Sequence, residues 1–151
     1  MQCFIGGACS GRRDLVDERF PEARWHRLAP GQGVADWLDS VPVGATLVIT
    51  GWAAWLSATL AEDHDDDGVR ASWRALLEVL AAAQRRQGLE LVLILDEMGS
   101  GIVPMAPEAR RLRDLNGWLA QEVASRCTAV WHVRHGLARR LDRVDASGGG
   151  W

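Results

Sequence analysis

Gly6, Gly7, Ser10 and Gly11, then Arg12 and Arg13, follow directly on the apolar run Cys3-Phe4-Ile5. Their spacing is that of a phosphate-binding loop, G-x-x-x-x-G-K-[ST]. Glycines let such a loop curl so that amide N–H groups point inward, and the helix behind it adds partial positive charge. Arg12 stands where the pattern has Lys, and Arg13 where it has the magnesium-binding hydroxyl. Arginine also holds phosphate, often in a bidentate way, but it is bulkier and planar. All 17 basic residues are Arg, so no lysine elsewhere in the chain can stand in. The plainer alternative is a glycine-rich turn between a strand and a helix.

A second stretch ends another apolar run. Asp96 and Glu97 are followed by Met98-Gly99-Ser100-Gly101-Ile102-Val103-Pro104. Two carboxylates at a strand end can hold Mg²⁺ directly or through water. They also suit an acidic loop that caps the next helix. Asp63, Asp65, Asp67 and Gly68 match the first half of a calcium loop, but its closing Glu position is Arg74. That stretch reads better as an acidic entry to a helix, favoured by the helix dipole. His132 and His135 flank the end of the last apolar run and lack a third ligand for a metal. Cys3, Cys9 and Cys127 are unclustered and read as free thiols.

These groups need elements to position them. Residues 2–5, 23–28, 45–50, 89–95 and 128–133 read as strands, and 12–20, 34–40, 52–60, 69–87 and 108–125 as helices. A short terminal helix is expected over 136–142. The helix over 69–87 is the clearest, with Trp73, Leu76, Leu77, Leu80 and Ala83 on one face. The run from Leu89 to Leu95 is apolar throughout, as in a strand buried on both faces of a parallel sheet. Alternating strands and helices imply an α/β fold with a mainly parallel sheet of four or five strands. Ligands in such folds sit beyond the carboxyl ends of the strands, where the loops after Gly6, Thr50, Asp96 and Arg134 lie.

The chain has 151 residues, 48% of them hydrophobic and 25% charged, and a net charge of −3. One globular domain over 1–144 is expected, with a flexible Gly-rich tail over 145–151. The charge gives no sign of a nucleic-acid partner. No apolar run approaches the roughly 20 residues of a membrane helix, and no signal peptide is evident, so a cytoplasmic protein is expected. Of the eight tryptophans, Trp37, Trp73, Trp118 and Trp131 sit in apolar patterns that suggest core. Trp52 and Trp55 follow a strand end, where they would fill a pocket, stack on a ring or face another subunit.

From Leu91 to Leu141 the chain resembles the adenosylcobinamide kinase / adenosylcobinamide-phosphate guanylyltransferase family of cobalamin biosynthesis. The stretch Asp96 to Pro104 is similar to that family's N-E-V-G-x-G-I-V-P-like segment. Arg113, Asp114, Gly117 and Gln121 keep the spacing of its R-D-x-x-G-x-x-x-Q-like helix, and Val130-Trp131 its last strand. Gly6, Gly7, Ser10 and Gly11 match its opening loop, from which Arg12 and Arg13 depart. The resemblance implies a P-loop-NTPase-like, three-layer α/β domain, often in an oligomer. It implies GTP or ATP with Mg²⁺, nucleotide contacts from residues 6–13, and support from Asp96, Glu97, Gly99, Gly101, Arg113, Asp114 and Gln121, the first two toward Mg²⁺. Two transfers would follow: phosphate to a cobinamide hydroxyl, then GMP to that phosphate through a guanylylated histidine. The segment that carries this histidine in the family is shortened here. Its nearest remnant, Pro21 to His26, puts His26 on the wrong side of Trp25, so His26 reads first as a strand or surface residue and second as a nucleophile. Thr50-Gly51-Trp52-Ala53-Ala54 replaces a strand-end Glu and polar helix residues. Two functions are compatible with these departures. One is a divergent enzyme of nucleotide-loop assembly that binds GTP or ATP. The other is a family member without transfer activity that acts as a binding or scaffold partner.

Overall fold

The computed structural model describes residues 1–33, 35–99 and 101–143. The expected tail over 145–151 lies outside them, as does Ser100. Six strands form one sheet in the order β2-β3-β4-β1-β5-β6. They are β1 (Gln2–Gly6), β2 (Arg24–Arg27), β3 (Thr46–Thr50), β4 (Glu90–Asp96), β5 (Ala129–Arg134) and β6 (Leu137–Leu141). The first five run parallel, and β6 returns antiparallel along β5. The helices are α1 (Arg12–Arg19), α2 (Ala35–Leu38), α3 (Trp52–Glu62), α4 (Asp66–Gln87) and α5 (Pro107–Arg126).

Side-chain alternation splits the core into two layers, because successive residues of a strand face opposite sides. Cys3, Leu47, Ile49, Leu91, Leu93 and Leu95 face one side, where α2 to α5 cover them. Phe4, Val48, Val92, Ile94 and Val133 face the other, under Val16 of α1. β4 is buried from Leu91 to Leu95 because it has strands on both edges and helices on both faces. Burying one such aliphatic side chain stabilises by about 1.5–3 kcal/mol.

The expected helix over 136–142 is instead β6, which makes six strands rather than four or five. The cause is local. His135 and Gly136 both have positive φ, 55° and 73°, the pair of left-handed residues that a two-residue hairpin needs. The chain therefore reverses where a helix would have continued. α4 also begins earlier than residue 69. Asp65 caps it by accepting a hydrogen bond from the Asp67 amide, and Asp66 and Asp67 sit in the first turn. The acidic stretch is thus partly helix, as its dipole favours. Gly88, left-handed at φ 64°, closes the helix. Trp73 and Trp37 are core, whereas Trp118 is 42% exposed and does not belong to it.

Candidate functional site

The carboxyl ends of β1, β3 and β4 bring three loops together, since these strands are neighbours and parallel. After β1 the chain turns through residues 7–10. The Ser10 amide donates to the Gly7 carbonyl at 3.3 Å, and Gly11 adopts φ 89° to start α1. No side chain caps that helix, so its first amides face the loop without a protein acceptor from a cap. Gly6 and Gly11 are required by space. A Cβ at Gly6 would lie 2.4 Å from the Val133 carbonyl oxygen, and one at Gly11 would lie 2.9 Å from Cα of Gly136. The Ser10 hydroxyl is buried within this loop and has no hydrogen-bond partner among the described residues. α3 starts in the same manner, from a left-handed Gly51 without a side-chain cap.

Beside the start of α3 and the first residues of α1 lies a cleft of about 260 Å³. Arg12, Arg13 and Arg27 line it, together with Thr50, Gly51 and Asp96. Arg12 turns inward. Its guanidinium donates to the Leu95 carbonyl and pairs with Asp96 Oδ1 at 2.9 Å. Arg13 lies over the Trp25 ring, 5.1 Å from its centroid. Arg27 carried no sequence signal, and Thr50 was read only as the end of a strand, where it stands among residues that replace the family's Glu. They reach the cleft because β2 pairs with β3 so that Arg27 sits beside Thr50.

Glu97 goes elsewhere. Its amide donates to the Gly6 carbonyl at 2.8 Å, and its Oε2 is 2.9 Å from His132 Nε2 on β5. His132 is the residue that sequence reasoning set aside. Its place follows from the β1–β5 register, which puts it beside Ile5, one residue before the loop. His135 forms the exposed hairpin turn. As arranged, the acidic pair does not fit Mg²⁺. Asp96 already has a guanidinium on it and Glu97 an imidazole, and Arg13 stands where the third, hydroxyl donor would be. Among the described residues no group of three or more His, Cys, Asp or Glu is gathered as for a metal ion.

His26 sits on β2 with its ring stacked 3.7 Å from that of Trp37. Its Nε2 has no hydrogen-bond partner among the described residues, and burial lowers its pKa. Its register partner is Ile49, one step short of the strand end, while the next residue, Arg27, reaches the cleft. Trp52 is fully buried and donates from Nε1 to the Ile49 carbonyl at 3.1 Å, with Trp55 edge-on at 6.4 Å. The two indoles pack under the start of α3. Arg113 is paired with Asp114 on α5, and both line a separate groove with Gly99 and Gln121. Gly101 lines the hollow beside it. α5 is tied to the cleft by Asn116, whose side-chain amide donates to the Asp96 carbonyl at 2.8 Å.

Residues 16–141 match the family model for cobinamide kinase / cobinamide phosphate guanyltransferase. The chain belongs to this family. It is 33% identical over 134 residues to the bifunctional adenosylcobalamin biosynthesis protein CobP of Pseudomonas aeruginosa, covering 87% of this chain and 73% of that protein. It is 31% identical over 80 residues to the bifunctional adenosylcobalamin biosynthesis protein CobU of Escherichia coli, covering 53% of this chain and 44% of that protein. The CobU of Salmonella typhimurium is 35% identical over 65 residues, 43% of this chain and 36% of its own length. The family and its P-loop-like α/β fold therefore agree with the sheet observed here. The family match begins at residue 16, after the glycine loop. Among the described residues no helix is long and apolar enough to cross a membrane.

Proposed function

We propose that this family member binds the phosphate chain of GTP or ATP at residues 6–13 and takes part in phosphorylating cobinamide during cobalamin nucleotide-loop assembly. The observation that carries this reading is one cleft lined by Arg12 and Arg13, the first residues of α1 behind the glycine loop, by Arg27, and by Gly51 at the uncapped start of α3. Such helix ends attract oxyanions through their free amides and dipoles. Arg12, Arg13 and Arg27 add the charge that lysine and a metal add elsewhere, and phosphoryl transfer rests on positioning and charge neutralisation. Arg12 exchanges Asp96 for phosphate when nucleotide arrives. No magnesium-dependent step is assigned, because Asp96 is paired with the Arg12 guanidinium and Glu97 is hydrogen-bonded to the His132 imidazole. His26, packed on Trp37, supports no guanylylated intermediate.

A second reading is a binding or scaffold role without transfer, in a homo-oligomer or with a related protein. The Arg12–Asp96 pair favours it, since it engages two of the charged groups that line the cleft. Calorimetric titration with GTP and ATP, with and without Mg²⁺, separates the outcomes. Binding on the order of micromolar is expected, little changed by Mg²⁺ and weakened about tenfold or more by Arg12→Ala. No heat with either nucleotide, or an unchanged Arg12→Ala, removes the phosphate-site reading. Binding without turnover on cobinamide selects the second role.

A further inference from the structure

β6 ends the sheet, and among the described residues no strand lies beyond it. All five of its residues are exposed. Its register with β5 is unbroken from Leu137 to Leu141, so no bulge twists the edge away. The two-residue turn at His135 and Gly136 makes Arg134 and Leu137 a hydrogen-bonded pair, and such pairs recur at every second step. Arg139 and Leu141 therefore aim their amides at β5. Ala138 and Arg140 aim theirs outward, where no backbone partner meets them among the described residues. The opposite edge, β2, is not open in this way. It is four residues long, and its His26 is stacked on Trp37 of α2.

The charge of this edge runs against that of the chain. The whole chain carries −3, yet residues 134–143 hold four Arg and one Asp. Among the described residues Arg134, Arg139 and Arg143 form no ion pair, and Asp142 is matched by Arg140 at 3.4 Å. His132, the register partner of Arg139, is taken by Glu97, so no carboxylate is left for Arg139 there. Successive side chains of a strand alternate between faces. Leu137, Arg139 and Leu141 thus form a row on the face of Val130, which packs against the larger core. Leu137 is 73% exposed. At the Leu141 end of the row lies a hollow of about 360 Å³, lined by Ala124 and Cys127 at the end of α5 and by Val130 and Leu141. Edge charges commonly guard a sheet against pairing with its own kind. They do so here, because two β6 strands paired across a two-fold axis would set Arg139 and Arg140 against their copies, and like charges opposite each other destabilise a sheet. The same charges favour a strand of opposite sign.

We propose that β6 is a docking edge for an extended, acidic segment of another protein, which adds to the sheet as a further strand. The backbone of Ala138 and Arg140 supplies the hydrogen bonds, as in other strand additions. Carboxylates lie beside Arg139 and Arg140, and apolar residues beside Leu137 and Leu141, the latter filling the hollow. The partner pattern is therefore two adjacent acidic residues between apolar ones. A fluorescein-labelled peptide TVEETVT is titrated against the full chain by fluorescence anisotropy, with TVKKTVT as its control. The variants are Arg139→Glu and Ala138→Pro. Proline is tolerated on an edge strand where its N–H would face solvent, so Ala138→Pro removes one outward donor and keeps the hairpin, which a circular-dichroism melt checks. Saturable, micromolar binding of TVEETVT is expected, weakened about tenfold or more by either variant and lessened by salt. TVKKTVT should not bind. Amide exchange on the wild type, followed by NMR, should slow at Ala138 and Arg140 when TVEETVT is added and stay unchanged at Arg139 and Leu141. That measurement decides the matter even if Ala138→Pro unfolds the hairpin. No binding of TVEETVT, or equal binding of TVKKTVT, overturns the proposal. Full affinity in a folded Ala138→Pro, or exchange that does not slow at Ala138 and Arg140, also overturns it, because the contact would then be charge alone. Binding of a thymidine oligonucleotide or of phosphatidylglycerol vesicles in place of the peptide assigns the edge to another polyanion and ends the proposal.

Discussion

Arg12 shows how one side chain acts differently inside a loop than its position in a motif suggests. The motif places a cation over the phosphates, yet the guanidinium reaches down to Asp96 and the Leu95 carbonyl. It does so because a planar fork with several donors can satisfy a carbonyl and a carboxylate at once. Asp96 was legible as a strand-end carboxylate, but its partner was not, since 84 residues of chain separate the two. Gly117 makes the opposite case. Its spacing from Arg113 and Gln121 was legible, while its open upper face needed the helix to be placed. Gly117→Ala is expected to stabilise the protein by about 1 kcal/mol, read as a higher urea midpoint at unchanged slope. A loss of stability would mean that something in the folded protein occupies the space above it.

The β5–β6 hairpin is the element with the largest difference between expectation and structure. Leu137 to Leu141 carries no strict alternation and is exposed throughout, so neither strand nor helix was signalled by burial. Its strand character comes from the turn at His135 and Gly136 and from pairing along β5. The hairpin also braces the phosphate loop. The Gly136 amide donates to the Ser10 carbonyl at 2.8 Å. Gly136→Val is therefore expected to cost about 1–2 kcal/mol, because φ 73° is a left-handed conformation. It should also weaken nucleotide binding, seen in the same titration as a higher Kd. A variant that loses stability but keeps full GTP affinity would show that the hairpin does not support the loop.

On the scale of the molecule, one sheet serves two cores. The larger joins buried residues of β1, β3 and β4 with all of α2 to α5, and the smaller lies under α1. Since β1, β3 and β4 contribute to both, neither core can melt alone without exposing the other face of the same strands. Unfolding is expected as one transition, with tryptophan fluorescence and far-UV circular dichroism giving the same denaturant midpoint. Trp52 and Trp73 report the larger core, and Trp131 packs against the smaller one. Separate midpoints would mean that the α1 face opens independently.

Local chemistry set what could be read from residues in order. The α4 face of Trp73, Leu76, Leu77 and Leu80, the unbroken apolar run of β4 and the glycines around Ser10 each carry their signal within a few residues. Those signals were enough for a mainly parallel α/β sheet, for the loops at its carboxyl edge and for the resemblance that the family match bears out. Tertiary structure decided who meets whom across that edge. Parallel pairing put His132 beside Ile5 and within reach of Glu97, and Arg27 beside Thr50 at the cleft. It gave Asp96 to Arg12, and it left Gly117 facing open space. Such contacts depend on strand order and register, which are set by how buried faces pack together. No short stretch of sequence contains both partners.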